Sequence, residues 1–209
     1  MPLEIKTCTP ADFPRLVDVE NWAFADNPFT PILFPGPFPP GAAEFRAQQL
    51  AADFENEATT TWLKIVDTDS QTPDEGISYA KWNIYKDAPP APRMVRTFGE
   101  GCNVPACEAV FGGLAKQMAR LLGDTRCLCL HILITDPAHQ RRGAGGLLVK
   151  WGVDKAKELG LPAYVESTVN GHELYKKYGF EDVEVLEVDL SQYGAREMHR
   201  NWAMFANRQ

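Results

Sequence analysis

The chain alternates between short segments in which every second residue is apolar and longer segments in which apolar residues recur at helical spacing. The first pattern is typical of a half-buried strand and the second of an amphipathic helix. Residues 3–7 follow the strand pattern. A helix is predicted to follow Thr9, which is an N-cap residue type, and Pro10, which suits the first helical position. That helix is predicted to end near Ala25.

The same two patterns predict the remaining elements along the chain. They are helices over residues 42–56, 110–122, 147–159 and 170–178, and strands over residues 61–66, 77–85, 128–135, 164–167, 183–190 and 196–205.

Two long segments follow neither pattern. Residues 27–41 are interrupted by prolines yet carry several large apolar side chains. They are either a rigid surface loop folded onto the core or the apolar wall of a ligand pocket, and the sequence favours neither interpretation. Residues 86–109 show no clear period, and a segment of this length without structure inside a domain is usually functional or mobile.

The predicted order of elements is β-α-α-β-β-α-β-α-β-α-β-β without an internal repeat, which indicates one mixed α/β domain over residues 1–209. The apolar fraction of 44% and the charged fraction of 23% are those of an ordinary globular domain. A net charge of −7 argues against a general nucleic-acid binder, which would carry a basic face. It is weakly compatible with a cationic substrate, although acidity also simply keeps many proteins in solution.

Cysteine usage and hydropathy bound the cellular setting. The five cysteines are an odd number, and their spacings match no zinc site, so we predict neither a disulfide framework nor a metal. The first residues lack the apolar core of a secretory signal, and no run approaches the roughly 18 apolar residues of a membrane-spanning helix. We therefore expect a cytoplasmic location and no membrane partner.

The most informative stretch covers residues 128–146 and reads L-C-L-H-I-L-I-T-D-P-A-H-Q-R-R-G-A-G-G. An apolar strand is stopped by Asp136 and Pro137, and a turn rich in glycine and arginine leads into a helix. Free backbone N–H groups and the positive end of the helix dipole then form an anion site. A dinucleotide-binding motif is excluded because its third glycine is missing, and a P-loop because Lys150 lies too far from Gly146.

Within this stretch, residues 140–145 (Q-R-R-G-A-G) resemble the Q/R-x-x-G-x-G/A signature of the GNAT superfamily of acetyl-CoA-dependent N-acetyltransferases. Residues 174–180 (L-Y-K-K-Y-G-F) resemble the L-Y-x-x-x-G-F element of the same superfamily. The recognisable sequence covers residues 128–183, and only the order of elements extends the resemblance further. The resemblance implies a mixed, mostly antiparallel sheet of about seven strands, flanked by helices, with splayed fourth and fifth strands.

The resemblance also implies where acetyl-CoA would bind. The fourth strand would bond to the pantetheine arm and stabilise the oxyanion, while the glycine turn would hold the pyrophosphate through close backbone approach. The two arginines of the turn either contact phosphates or are solvated surface charges. The predicted cofactor-binding residues are Leu133, Ile134, Thr135, Gln140, Arg141, Arg142, Gly143, Ala144, Gly145 and Gly146.

Acetyl transfer to an amine needs a base for the amine and an acid for the departing thiolate. Tyr175 matches the tyrosine that often acts as this acid in the superfamily, although a tyrosine there can also simply pack its helix on the sheet. His131 is similar in position to the catalytic histidine of arylalkylamine-type members and titrates near neutrality, but a lone histidine in an apolar strand is often a core residue. Glu166, at the end of the next strand, is the other candidate base, acting through a water.

We therefore expect an N-acetyltransferase that moves an acetyl group from acetyl-CoA to the primary amine of a small molecule, by direct attack in a ternary complex and without a metal. Residues 27–41 and 86–109 would form the acceptor pocket, whose aromatic side chains favour an apolar or aromatic amine. The alternatives are a protein or peptide N-acetyltransferase and a catalytically silent acyl-CoA-binding domain. We expect a monomer or homodimer that has no nucleic-acid partner.

Overall fold

A computed structural model of the chain describes residues 2–87 and 98–208 and contains a seven-stranded sheet. The strands are β1 (Leu3–Thr7), β2 (Thr60–Asp67), β3 (Gly76–Tyr85), β4 (Cys127–Thr135), β5 (Ala163–Ser167), β6 (Glu181–Val188) and β7 (His199–Ala206). Their order across the sheet is β1-β2-β3-β4-β5-β7-β6, and β4 and β5 are parallel while the other neighbouring pairs of this sheet are antiparallel. The mixed α/β class and the mostly antiparallel sheet expected from the sequence are confirmed.

Helices flank this sheet on both faces. They are α1 (Phe13–Phe24), α2 (Thr30–Leu33), α3 (Ala42–Asn56), α4 (Val104–Cys107), α5 (Gly113–Leu122), α6 (Ala144–Leu159) and α7 (Val169–Lys177). A π-helical turn over Glu108–Gly112 joins α4 directly to α5. Among the described residues, no helix is long and apolar enough to cross a membrane.

The face under α6 carries the largest apolar cluster of the described residues, and one tryptophan sets how closely α6 approaches. Trp82 of β3 is fully buried, and its indole Nε1 donates to the carbonyl of Leu148 at 3.3 Å. The ring lies against the helix at Gly152, where a Cβ atom would overlap it. Close packing of α6 on the sheet therefore depends on the absence of a side chain at this position.

The opposite face carries two separate apolar clusters. The first lies under α1 and α3 and contains Phe13, Trp62 and Tyr79. The second lies under α5 and contains Tyr164 and Phe205. The C-terminal parts of β4 and β5, where the two strands no longer pair, lie between these two clusters.

Three sequence predictions about local structure are wrong in part. Residues 86–109 were expected to lack regular structure, but α4 begins at Val104, where the Asn103 side chain accepts from the N–H of Ala106 at 3.4 Å. The π-helical turn that follows shifts the apolar pattern out of the α-helical period, which hid this helix from the sequence. Residues 88–97 lie outside the described residues.

The other two differences concern helices. Within residues 27–41, a single helical turn forms over Thr30–Leu33. The helix α6 begins at Ala144 instead of residue 147.

We predict that Gly152→Ala lowers the free energy of unfolding by about 1–3 kcal/mol, because the added Cβ pushes against a fully buried ring. Gly112→Ala is the matched control: its added Cβ has no atom within 4 Å and its φ of −67° is helical. That variant is expected to be neutral or more stable by up to about 1 kcal/mol. Urea denaturation checks both, and equal effects at the two glycines would contradict the packing described above.

Candidate active site

The strands β4 and β5 separate in the middle of the sheet. Their parallel pairing runs from Leu128 opposite Ala163 only to Leu130 opposite Val165. The strand β4 continues to Thr135, paired with β3 on its other side. In the part of the chain that the structure describes, the edge of β4 that faces β5 is therefore open from residue 132 to residue 135. The splay implied by the family resemblance is present in this structure.

A β-bulge in β4 begins where this separation begins. Leu130 is opposite Trp82 and Ile132 is opposite Lys81, so His131 is the extra residue of the bulge. The bulge changes which side chains face which side, because Leu130 packs in the cluster under α6 while Ile132 packs in the cluster under α1 and α3. By the alternation that precedes the bulge, the exposed side chain of His131 faces away from α6.

Glu166 lies on the same face, one strand away. Its neighbour Val165 packs under α6, so Glu166 faces the other side, as Tyr164 does. The Tyr164 hydroxyl donates to Glu166 Oε1 at 3.2 Å, and burial raises the pKa of that tyrosine well above its ordinary value. Both candidate bases therefore follow directly after the last residues at which β4 and β5 pair with each other, and they share one face of the sheet.

The turn between β4 and α6 has two residues with left-handed backbone and leads into the beginning of a helix. Arg141 and Gly143 have φ angles of +61° and +90°, and turns with such left-handed residues can present successive N–H groups to an anion. Gly143 is the N-cap of α6, and its carbonyl accepts the first helical hydrogen bond, from Leu147 at 3.1 Å. The N–H groups of residues 143–146 precede that bond and so lack helical partners. The helix dipole adds positive potential at the same place.

Glycine is needed within this turn for two reasons. The φ of Gly143 is strained for any residue with a side chain. At Gly146 a Cβ would overlap the hydroxyl of Tyr178, which follows α7. The second family-like element, residues 174–180, is thus packed directly against the first, since Leu174 also lies 3.6 Å from the Cβ position of Gly145.

An ion pair from β2 holds the turn. Arg142 is bonded through Nη2 to the carboxylate of Asp67, and its Nη1 lies 2.7 Å from Nδ1 of His139. This hydrogen bond from Arg142 holds the pKa of Asp67 below its ordinary value. By contrast, Arg141 is exposed, and Gln140 donates through Nε2 to the carbonyl of Thr135 at 3.4 Å.

A second ion pair, from α1, holds the end of β4. Arg15 Nη2 donates to Asp136 Oδ2 at 2.7 Å, and the other carboxylate oxygen of Asp136 accepts from the N–H of Ala138 at 2.9 Å. Neither ion pair is predictable from the sequence, because the partners lie 75 and 121 residues apart in the chain and no local pattern connects them.

The helix α7 buries Tyr175 beside the separated strands. The side chain is 6% exposed and packs edge-to-face on Phe180 with ring centroids 5.7 Å apart. Gly171, one turn earlier, leaves room for the ring. Burial raises the pKa of Tyr175 well above its ordinary value, which keeps the hydroxyl protonated as an acid requires. No group of three or more potential metal ligands occurs among the residues described.

Comparison with known proteins identifies the family. The model of the acetyltransferase (GNAT) family matches residues 74–180, which include the splayed strand, the glycine turn and Tyr175. This chain belongs to that family. The acyltransferase class expected from the sequence is thereby confirmed at the level of the family.

One curated relative is an acyltransferase by name. A probable acyltransferase SID5 from Ajellomyces capsulatus is 48% identical over 44 residues, which are 21% of this chain and 32% of that protein. The match thus spans about a third of the curated relative.

Two solved structures illustrate the shared fold. One, described as histone acetyltransferase HPA2 and related acetyltransferase, from Corynebacterium glutamicum, aligns with a TM-score of 0.62 at 20% identity, covering 100% of this chain and 98% of that one. The other is a phosphinothricin acetyltransferase from Sinorhizobium meliloti in complex with acetyl-CoA. It aligns with a TM-score of 0.58 at 11% identity, covering 98% of this chain and 88% of that one. At these identities the likeness establishes the fold alone.

We predict that Asp67→Asn raises the Kd for coenzyme A by about tenfold or more, because it releases Arg142 and lets the anion-binding turn shift. Asp74→Asn is the matched control, since it removes the same charge from an exposed ion pair with Lys6 away from the turn. Isothermal titration calorimetry measures both. An unchanged Kd in the Asp67 variant, or an equal rise in both variants, would contradict a role for this ion pair in holding the turn.

Proposed function

We propose that this protein transfers an acetyl group from acetyl-CoA to the primary amine of a small molecule, by direct attack in a ternary complex. The observation that carries the proposal, within the described part of the chain, is that the edge of β4 beyond Leu130 has no partner strand on the β5 side and leads into a glycine turn whose first N–H groups lack helical partners. A thioester donor attached to a pyrophosphate would satisfy both parts at once.

The donor would extend along this edge of β4 into the turn. Among Leu133, Ile134 and Thr135, the pantetheine arm would pair with the backbone of Leu133 and Thr135 as an added strand, since alternate residues turn their N–H and C=O groups to the open edge and those of Ile134 face β3. The pyrophosphate would accept from the N–H groups of the turn, and exposed Arg141 would add a charged contact. In this proposal Arg142 positions the turn through Asp67 and contributes less to the phosphates directly.

The transfer step needs one base and one acid. The amine nitrogen attacks the thioester carbonyl carbon and gives its proton to Glu166 or His131, which share the face where β4 and β5 separate. The carbon–sulfur bond then breaks, and the sulfur takes a proton from the hydroxyl of Tyr175. Backbone N–H groups of β4 would stabilise the oxyanion between these two events. The proposed step uses no metal.

The acceptor would lie between the face that carries Glu166 and His131 and the aromatic loop, residues 27–41. Phe29 and Leu33 pack with Val110, with Leu190 after β6, and with Phe98 and Phe111 at the edge of the same cluster. Phe29 and Leu33 are themselves buried, so the half-buried rings of Phe34, Phe98 and Phe111 would form the wall. An apolar wall favours a small, partly apolar acceptor over an extended peptide, which would need an open groove. Compartment and oligomeric state, expected to be cytoplasmic and monomeric or dimeric, stay predictions.

We predict that the protein releases coenzyme A from acetyl-CoA in the presence of small primary amines, and more slowly in the presence of peptides with free N-termini. A coupled assay for free thiol across a panel of both acceptor types measures this. Faster turnover with peptides would replace the proposal by a protein or peptide acetyltransferase. Calorimetric binding of acetyl-CoA without release in any reaction would indicate a silent acyl-CoA-binding domain.

Tyr175→Phe is the variant that tests the chemistry. Loss of a general acid lowers kcat by about 10²–10⁴-fold, whereas the Kd for acetyl-CoA should stay unchanged. Burial raises the pKa of Tyr175, so its hydroxyl stays protonated above the ordinary tyrosine pKa of about 10. The kcat of the wild type should therefore show no loss from deprotonation of Tyr175 up to about pH 10. A variant that acetylates at the wild-type rate across pH would remove Tyr175 from the mechanism.

A further inference from the structure

Two side chains on β7 bury a polar atom that has no partner. His199 is 9% exposed and Asn201 is 5% exposed. Nδ1 of His199 and Oδ1 of Asn201 have no hydrogen-bond partner among the described residues. A buried polar atom without a partner costs stability, so two such atoms two residues apart on one strand call for an explanation.

Both side chains lie on the face that carries the candidate bases. Glu166 is opposite Ala203 in the β5–β7 pairing, and Ala203 packs in the cluster under α5. Side chains alternate along a strand, so Asn201 and His199 follow Ala203 on this same face, at steps of about 7 Å. A line of polar groups therefore leads from Glu166 along β7.

The helix α5 and the aromatic loop cover the two side chains. Leu186 is the β6 partner of Asn201, and its side chain lies 3.0 Å from the Cβ position of Gly113 at the start of α5. Over His199 lies the ring of Phe29, with ring centroids 4.7 Å apart in an edge-to-face arrangement. Phe29 belongs to residues 27–41, which form the proposed acceptor wall, so this wall is in direct contact with His199.

The hydrogen bond of Asn201 and the burial of His199 determine which polar atoms the two side chains offer to a ligand. Nδ2 of Asn201 donates to the carbonyl of Ser167 at 3.4 Å, which leaves Oδ1, an atom that only accepts. Burial lowers the pKa of His199, so its ring is neutral at neutral pH. A neutral imidazole offers one acceptor and one donor nitrogen.

We infer that Asn201 and His199 bind the far end of the acceptor, and that this end is an uncharged hydrogen-bond donor such as a hydroxyl or a carboxamide. The inference rests on the proposed function and deepens it from any small amine to an amine with a second polar group. The reacting amine lies at Glu166 and His131, and the far end of the acceptor reaches Asn201 and then His199, where it takes the place of the Phe29 ring that packs on His199. An ammonium at the far end is disfavoured because the apolar cluster around Phe29 would desolvate its charge, and a carboxylate is disfavoured by the acceptor oxygen of Asn201.

Bisubstrate conjugates test this inference even though the natural acceptor is not identified. Coenzyme A is alkylated at sulfur, with loss of bromide, by 2-bromoacetamides of primary amines whose alkyl tails have equal length and end in a methyl, a carboxamide or an ammonium group. A short series of tail lengths is used, and each Kd is measured by calorimetry. The wild type should bind the carboxamide conjugate of best length at least about tenfold more tightly than its methyl and ammonium counterparts.

Two variants locate the effect. Asn201→Leu keeps the side-chain volume and should abolish the preference, and His199→Phe keeps the ring against Phe29 and should reduce it. Both should bind coenzyme A itself with the wild-type Kd, which shows that they are folded. Asn83→Leu is the matched control, because Asn83 is also a buried asparagine with an unpartnered oxygen, but it lies on β3. This variant should keep the preference.

The outcomes separate the two levels of the proposal. Failure of the wild type to bind coenzyme A overturns the proposed function and this inference with it. Binding of coenzyme A without a preference among the tails overturns the inference alone. Retention of the preference in both the Asn201 and the His199 variants does the same.

Discussion

The structure depends on one constraint: β4 is paired with β3 along its length except at the bulge of His131, while its other edge has no partner strand beyond Leu130. An open strand edge in the middle of a sheet leaves backbone donors and acceptors without partners, which is normally unfavourable. Here the pairing of β4 with β5 stops at Leu130, and the chain continues into a turn whose N–H groups lack helical partners. We propose that an extended ligand that ends in an anion pairs with both sets of groups.

The surrounding residues keep this open arrangement rigid. Trp82 packs into the space left by Gly152 and fixes α6 on the sheet, so the beginning of the helix is held at the end of β4. The ion pairs of Arg142 with Asp67 and of Arg15 with Asp136 tie the turn to β2 and to α1. The bulge at His131 directs two successive side chains to the same face, which places a titratable group beside the open edge. Positioning of this kind, made before any ligand arrives, is what an acyl-transfer site requires.

The sequence predicted the parts of the site that depend on neighbouring residues. The strand, the glycine turn and the start of α6 are contiguous, and their local chemistry predicts an anion site. The bulge at His131 was not predictable, because the residues around it follow the pattern of one apolar strand and its register depends on pairing with β3. The contacts of Asp67 with Arg142 and of Asn201 with Ser167 were not predictable either, because each joins segments that are distant in the sequence. The π-helical turn over Glu108–Gly112 hid a helix for a related reason, since it breaks the periodicity on which prediction relies.

The central claim is that acyl-coenzyme A occupies the open edge of β4 and the turn before α6. Backbone amide chemical shifts, recorded by heteronuclear NMR during a titration with acetyl-CoA, test this most directly. The account predicts large, saturable changes for residues 133–135 and 143–146 and negligible changes along β1, which forms the far edge of the sheet. Changes confined to other segments, or none at saturating acetyl-CoA, would contradict it.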